Sequence, residues 1–385
     1  MAIDYKIFTQ SSQFPSAWNT FVQHDVFLQS SYLKALEHSS PTNMSWYYVG
    51  IFKDEQLAGI AIIQRVQLYL KDMFRIVSNS LWKAVVRSIL SKVLKGNILV
   101  VGNLMQTGQH GIFFDENHLT QSEFIKTLFN ALDTIKHTIK QLDKKKVRVL
   151  LFKDYFDDDT IHQSKAEFKQ QGFYQLNVQP NMVLNIPSHW HNFDHYLNDL
   201  SAKYRTRYKR AIKKFGIISI KELELEDIQL RSNRMYELYK NVSNNAPFNT
   251  FILHENHFYQ LKKELQDNFK VFGYFLNAEL IGFHSLILNH QQLETYFLGY
   301  DTIHQQNNQL YLNMLYKMLN FAIDNRFKTV VYARTAIEIK SSVGAKAIPM
   351  SMYLKHTNSI INVMLKWLFK VMNPSSNWEE RHPFK

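Results

Sequence analysis

The chain has 385 residues, 45% of them apolar and 14% aromatic, enough to bury substantial cores and long enough to suggest two domains of roughly 190 residues each. It has no cysteine, which excludes disulfides, thiolate nucleophiles and cysteine-ligated zinc. A formal charge of +12 and a pI near 9.4 favour an anionic partner such as a nucleic acid, a phosphorylated substrate or an acidic membrane surface.

The N-terminal MAIDYKIFTQ has no basic stretch followed by an apolar run, so no secretory leader is read there and a cytoplasmic location is expected. WYYVGIFKDEQLAGIAIIQRV (46–66) reads as a hairpin, two aromatic and β-branched runs about a polar K-D-E-Q turn. LWKAVVRSILSKVLKG (81–96) gathers Leu81, Trp82, Val85, Val86, Ile89, Leu90, Val93 and Leu94 on one helical face, with Lys83, Arg87, Lys92 and Lys95 on or beside the other. That pattern suits a helix packed on a core and also one lying at a membrane surface, which would make the protein peripheral to the inner face of a membrane. DYFDDDT (154–160) reads as a solvated loop with a helix cap rather than a cation site.

A junction is read at 187–193, where Pro187 ends the strand-like NMVLNI, giving domains 1–190 and 191–385. His189, His191 and His195 in SHWHNFDH lack a metal-ligand pattern and read as the approach to a helix, so no metal is expected. Apolar residues then recur at Phe193, Leu197, Leu200, Tyr204, Tyr208, Ala211 and Phe215, the period of one amphipathic helix. Around that stripe stand the cations Lys203, Arg205, Arg207, Lys209, Arg210, Lys213 and Lys214. No familiar DNA-binding motif accompanies them, so duplex DNA is not the expected partner.

Beyond this helix the pattern predicts helices at 226–243 and 254–267, a hairpin at 269–288, a strand at 291–300, a helix at 307–326, a strand at 328–333, a short helix at 337–343 and a strand at 347–355. SIINVMLKWLFKVM (359–372) is amphipathic but too short to span a membrane. The fold class is therefore α/β, or mixed α+β. Aligned on Gly59 and Gly282, Q-L-A-G-I of the first hairpin matches E-L-I-G-F of the second, a weak sign that one domain type occurs twice.

That element order resembles the GNAT acetyltransferase superfamily. YARTAIEIKSSVGAKAIPMSMYL (332–354) is similar to the closing helix of such domains, with Lys340 followed four positions later by Gly344 as in the Fem-type transferases. R207-Y-K-R-A-I-K-K likewise resembles the R-x-x-I-x-K-A-like helix that joins their domains. The resemblance implies two tandem GNAT-like domains, each a mixed sheet flanked by helices, in a Fem-like (FemAB-type) acyl- or aminoacyltransferase. It further implies an acyl-CoA or aminoacyl-tRNA donor, no permanently bound cofactor, and an anionic acceptor such as a nucleotide-linked peptidoglycan precursor. One departure stands out: where a GNAT carries a glycine-rich pyrophosphate loop, this chain has HQQNNQL (304–310) with no glycine. Gln305, Asn307, Asn308 and Gln309 are the residues placed there to bind a donor.

Acyl transfer to an amine needs an amine without its extra proton, a stabilised carbonyl oxygen and a departing group, and it needs no covalent enzyme intermediate. No Walker A, G-x-G-x-x-G, G-x-S-x-G or H-E-x-x-H sequence supports another plan. Candidate catalytic residues are Lys340, for developing negative charge; Arg334, at a strand end; Glu338, four residues further on; and Tyr296 and Asp301, flanking the YFLGYD turn. Asp301 also reads as a cap, and His284 as a hydrogen-bonded core residue. Lys203, Arg205, Arg207 and Arg210 are the candidates for phosphate contacts, possible tRNA included. The competing reading is a non-catalytic module of the same fold that holds an anionic ligand, RNA or a membrane surface.

Overall fold

The computed structural model describes residues 2–68, 95–245, 249–372 and 378–385. The amphipathic stretch read at 81–96 lies, but for its last two residues, outside them. Two compact units divide the chain: Met1–Val178 with Pro247–His254 and Pro349–Ser375, and Gln179–Ala246 with Glu255–Ile348 and Ser376–Lys385. The single boundary expected at 190 thus falls at 178, and 349–375, read as part of the second domain, belongs to the first.

The first unit contains β1 (Ile3–Phe8), β2 (Met44–Lys53), β3 (Gln56–Leu68), β4 (Gly96–Val101), β5 (Ile112–Phe114) and β6 (Val147–Phe156). They run in the order β1-β2-β3-β4-β6, with β5 also beside β3. The predicted hairpin is β2–β3, closed by Asp54 and Glu55 at φ of 48° and 67°. Two successive left-handed residues make a turn whose twist matches that of the strands it joins. Helix Gln121–Asp143 opens on a reciprocal Thr120–Glu123 cap and buries a stripe that includes Phe124, Leu128, Leu132, Ile135 and Ile139. It connects β4 to β6, which pair in parallel.

The second unit repeats the plan with β7 (Tyr174–Asn185), β8 (Ser219–Glu222), β9 (Phe269–Leu276), β10 (Glu279–Asn289), β11 (Gln292–Tyr300) and β12 (Thr329–Ala333). Its order is β7-β12-β11-β10-β9-β8. The β9–β10 hairpin is closed by Asn277 and Ala278 at φ of 49° and 66°. Helix Leu310–Asp324 connects β11 to β12, again a parallel pair, and buries Leu310, Met314, Leu315, Met318, Leu319, Ala322 and Ile323. The final strand, β13 (Lys346–His356), pairs antiparallel with β6 through Met350–His356, while β7, which follows β6 in the chain, pairs through Met182–Asn185 with β12. Each unit is thus completed by a strand from the other half of the sequence.

The aligned glycines have one physical role. A Cβ on Gly59 would stand 2.9 Å from the ring of Phe124, and one on Gly282 would stand 2.9 Å from both Leu310 and Met314. In each unit the hairpin's second strand lacks a side chain where the long helix rests on it.

The helix read as continuous from Phe193 to Phe215 is two, Phe193–Asp199 and Ala202–Phe215. Leu200 and Ser201 are extended between them. The carbonyls freed by the break are satisfied: Arg205 Nη1 donates to the oxygens of Leu200 (2.6 Å) and Asn198 (3.3 Å). The apolar stripe nevertheless runs through both helices into one core, with Tyr196, Leu200, Tyr204, Ala211 and Phe215 buried against the 310–324 helix. Among the described residues no helix is long and apolar enough to cross a membrane. Helix Ser359–Met372 exposes Ile360, Val363 and Met364.

Candidate functional site

The cations of helix Ala202–Phe215 divide by direction. Lys203, Arg207 and Arg210 line a cavity of about 640 Å³ in the second unit, together with Ala202, Glu338, Ile339 and Arg381. Arg205 is turned to the backbone carbonyls named above and is not part of that wall. Lys209, Lys213 and Lys214 are exposed. The cavity therefore carries four cationic side chains and a single carboxylate, and like charges crowded on one wall raise the local potential for an anion.

Backbone geometry adds to this charge. Ser201 makes no side-chain cap on the helix it precedes. The first-turn amides of Ala202 and Lys203 have no intrahelical carbonyl to bond, and both residues border the cavity. They lie at the positive end of the helix dipole, which favours negative charge.

The opposite wall comes from helix Ile337–Ser341. Glu338 Oε2 lies 3.6 Å from Arg381 Nη2, and Arg381 also pairs with Glu379 at 2.9 Å. Lys340, on the same short helix, does not line the cavity. It is buried, and its Nζ donates to the carbonyl oxygens of Arg334 (2.6 Å) and Ala333 (3.2 Å). Those carbonyls lie in a strained link: Ala333, Thr335 and Ala336 all have positive φ, 59°, 65° and 46°, a costly conformation for residues with a Cβ and more so for a β-branched one. The ammonium ties down the turn that leads to Glu338. Burial pushes its pKa down to about 7, because the charged form loses its hydration.

The remaining candidates are not gathered at this cavity. Arg334 is largely buried, and burial lowers its guanidinium to about 10. Tyr296 is buried, stacked on His257 and within 3.2 Å of its Nε2. Asp301 caps helix Thr302–Asn308 by accepting from the Ile303 amide at 2.9 Å.

That helix occupies 304–308, where a GNAT would carry its phosphate loop, and two of its polar side chains, Gln305 and Asn308, are used internally. Gln305 Oε1 accepts from the Tyr311 amide at 2.7 Å, Asn308 Nδ2 donates to the Lys214 carbonyl at 2.9 Å, and Gln309 turns the chain at φ 49°. Asn307 is exposed. His284 is a core residue hydrogen-bonded to the Tyr274 hydroxyl at 2.9 Å and pushed down to about 3 by burial. His189 pairs with Asp199 at 2.7 Å, and His195 Nδ1 accepts from the His191 amide. Among the described residues no histidine and carboxylate group is arranged to hold a metal.

Arg381 is the residue that sequence reading missed. Its only signal was a lone cation between two aromatic residues, Trp378 and Phe384, that need burial.

Two units completed by exchanged strands, each with a hairpin, a long helix and a parallel strand, have the fold of a Fem-like tandem GNAT protein. The structure is similar to that titled "Crystal structure of FemX", with a TM-score of 0.54 at 11% identity, covering 95% of this chain and all of that one. It is also similar to a "Tandem GNAT protein from the clavulanic acid biosynthesis pathway", with a TM-score of 0.52 at 8% identity, covering 93% of this chain and 99% of that one. No protein-family model matches the sequence, and no curated protein matches it.

Proposed function

We propose that the protein is an N-acyltransferase that holds the phosphate-bearing part of a substrate against Lys203, Arg207, Arg210 and Arg381 and moves an acyl or aminoacyl group onto an amine. The observation that carries this reading is the cavity itself, where four cations and an uncapped helix start face one carboxylate. The tandem GNAT-like fold supports acyl transfer as the reaction class.

In this reading the amine nitrogen attacks the carbonyl carbon of a thioester or ester, and the bond from that carbon to sulfur or oxygen breaks. Glu338, the only carboxylate on the wall among the described residues, takes the proton the amine must lose and returns it to the departing sulfur or oxygen, which leaves as a thiol or alcohol. Lys340 acts behind the wall by fixing the 333–336 link, not by touching the reacting atoms. The donor is an acyl-CoA or an aminoacyl-tRNA, and a nucleotide-linked cell-wall precursor is the acceptor to try first.

The test joins two measurements on the full chain. Titration with inorganic pyrophosphate should show binding that weakens with salt and falls by at least about 100-fold in Arg207→Ala/Arg210→Ala, since hydrogen bonds to charged groups contribute about 1.5–3 kcal/mol each. A screen with acyl-CoA and charged tRNA donors should show turnover that Glu338→Gln abolishes. Absence of pyrophosphate binding would overturn the anion site.

A second reading has its own support. Gln305 and Asn308 are engaged within the fold where a donor's phosphates would be cradled. A non-catalytic binder of anionic ligands would bind pyrophosphate as expected and turn over no donor in the screen.

A further inference from the structure

We infer that residues 378–385 form a strap that completes the anion cavity, with Arg381 as a ligand-binding residue and Phe384 as the positioning residue that seats it. This inference rests on the anion-site reading above.

The strap is pinned at both ends. Toward its end, the Pro383 carbonyl accepts from the Ser201 amide at 2.8 Å, and the Lys385 amide donates to the Asp199 carbonyl at 3.1 Å. Phe384 lies between these bonds, pairs with Leu200 in an isolated bridge and packs near Trp190 and Tyr196, with ring centroids 5.6 and 6.1 Å away. Its seat is Gly344. A Cβ there would lie 2.5 Å from the Phe384 ring, and the residue sits at φ 108°, where a side chain is strained. The glycine four positions after Lys340 thus has a local physical reason, which is to leave room for this ring.

Nearer its start, the Arg381 amide donates to Ser341 Oγ at 3.0 Å, and Trp378 packs against the core. Arg381 is thereby held over helix Ile337–Ser341 with its guanidinium on the cavity wall. That guanidinium is balanced by Glu338 at 3.6 Å and Glu379 at 2.9 Å. Its side chain is about one-third exposed, so these pairs are screened and weak. A phosphate can draw Arg381 away from Glu338, and doing so leaves that carboxylate open to an ammonium group.

The experiment is a double-mutant cycle read by pyrophosphate affinity, with thermal unfolding of each variant alongside. Arg381→Ala should lose about 10- to 30-fold in affinity with little change in unfolding temperature, and Arg381→Lys should recover part of the loss. Phe384→Ala, or Phe384→Leu should the alanine variant unfold, should lose a similar amount. The double variant should be no weaker than either single one, because both remove the same contact. Wild-type affinity in Arg381→Ala, or in both folded Phe384 variants, would overturn the strap, as would fully additive losses. If the wild type binds no pyrophosphate, the anion site and the strap fall together. If Arg207→Ala/Arg210→Ala weakens binding while Arg381→Ala does not, only the strap falls.

Discussion

The two units share a frame and differ in what they do with charge. Each has a hairpin closed by two left-handed residues, a glycine under the long helix and a parallel strand after it. Each also buries a lysine on backbone carbonyls. In the first unit Lys153 Nζ donates to the oxygens of Asn103 (2.9 Å) and Gln106 (2.6 Å), holding the glycine-rich 102–111 loop, and lies 2.5 Å from the buried Asp154. In the second, Lys340 holds the 333–336 link in the same way, but burial, with no carboxylate paired to it among the described residues, lowers its affinity for a proton.

The cavities diverge further. The first unit has one of about 570 Å³ lined by Asp115, Glu116, Asp158 and Asp159, and the second has one of about 640 Å³ lined by Lys203, Arg207, Arg210 and Arg381. The two units are alike in the parts that pack and opposite in sign where their cavities open.

If that division is right, the largest effect comes from Lys153→Met. It should destabilise the protein by about 3–5 kcal/mol in a denaturant titration, because it takes the cation from a buried pair as well as two hydrogen bonds from a loop. A loss below 1 kcal/mol would mean that the pair contributes little.

Lys340 should differ in its pH dependence. Its folded pKa of about 7 lies below the ordinary lysine value near 10.4, so between those values the unfolded chain binds more protons. The wild type should therefore gain stability as pH rises from about 7 to 10, on the order of 3 kcal/mol, and be insensitive to this group below 7. Lys340→Met should remove that rise. An unchanged slope in the variant would show that the ammonium keeps its proton when folded.

The third effect concerns ligand alone. Pyrophosphate should slow amide hydrogen exchange in 202–210 and 337–341 and leave 113–116, on the acidic cavity, unchanged. Equal protection in both segments would erase the distinction between the units.

Much of the frame was legible in the sequence because it is local. Asp54–Glu55 and Asn277–Ala278 interrupt runs of β-formers, and Leu310 to Ile323 repeats at a helical period. Lys203, Arg207 and Arg210 fell on the cavity side because a helix fixes the direction of each residue relative to its buried stripe.

What escaped depends on pairing that no local pattern records. The apolar period runs unbroken through Leu200 and Ser201, so nothing announced that a distant carbonyl, Pro383, would bond the Ser201 amide and end a helix there. The exchange of β13 for β7 follows from register with β6 and β12, strands far away in sequence. Lys340 was placed among candidates for charge stabilisation, yet its ammonium faces inward, because carbonyls in a strained turn needed a donor. Arg381 had no periodicity around it at all.

The smallest effect separates the two glycines under the long helices. Both substitutions, Gly59→Ala and Gly282→Ala, bring a methyl group to 2.9 Å from the helix above, and overpacking of this kind costs about 1–3 kcal/mol. The obstacles differ in stiffness. At Gly59 the methyl meets the ring of Phe124, itself stacked on Phe114 with centroids 4.7 Å apart. At Gly282 it meets Leu310 Cδ2 and Met314 Cε, the far ends of flexible side chains. Gly59→Ala should therefore be the more destabilising, by about 1 kcal/mol, in paired thermal melts. The reverse order would mean that the first unit's helix can shift and that the two frames are less alike than their topology.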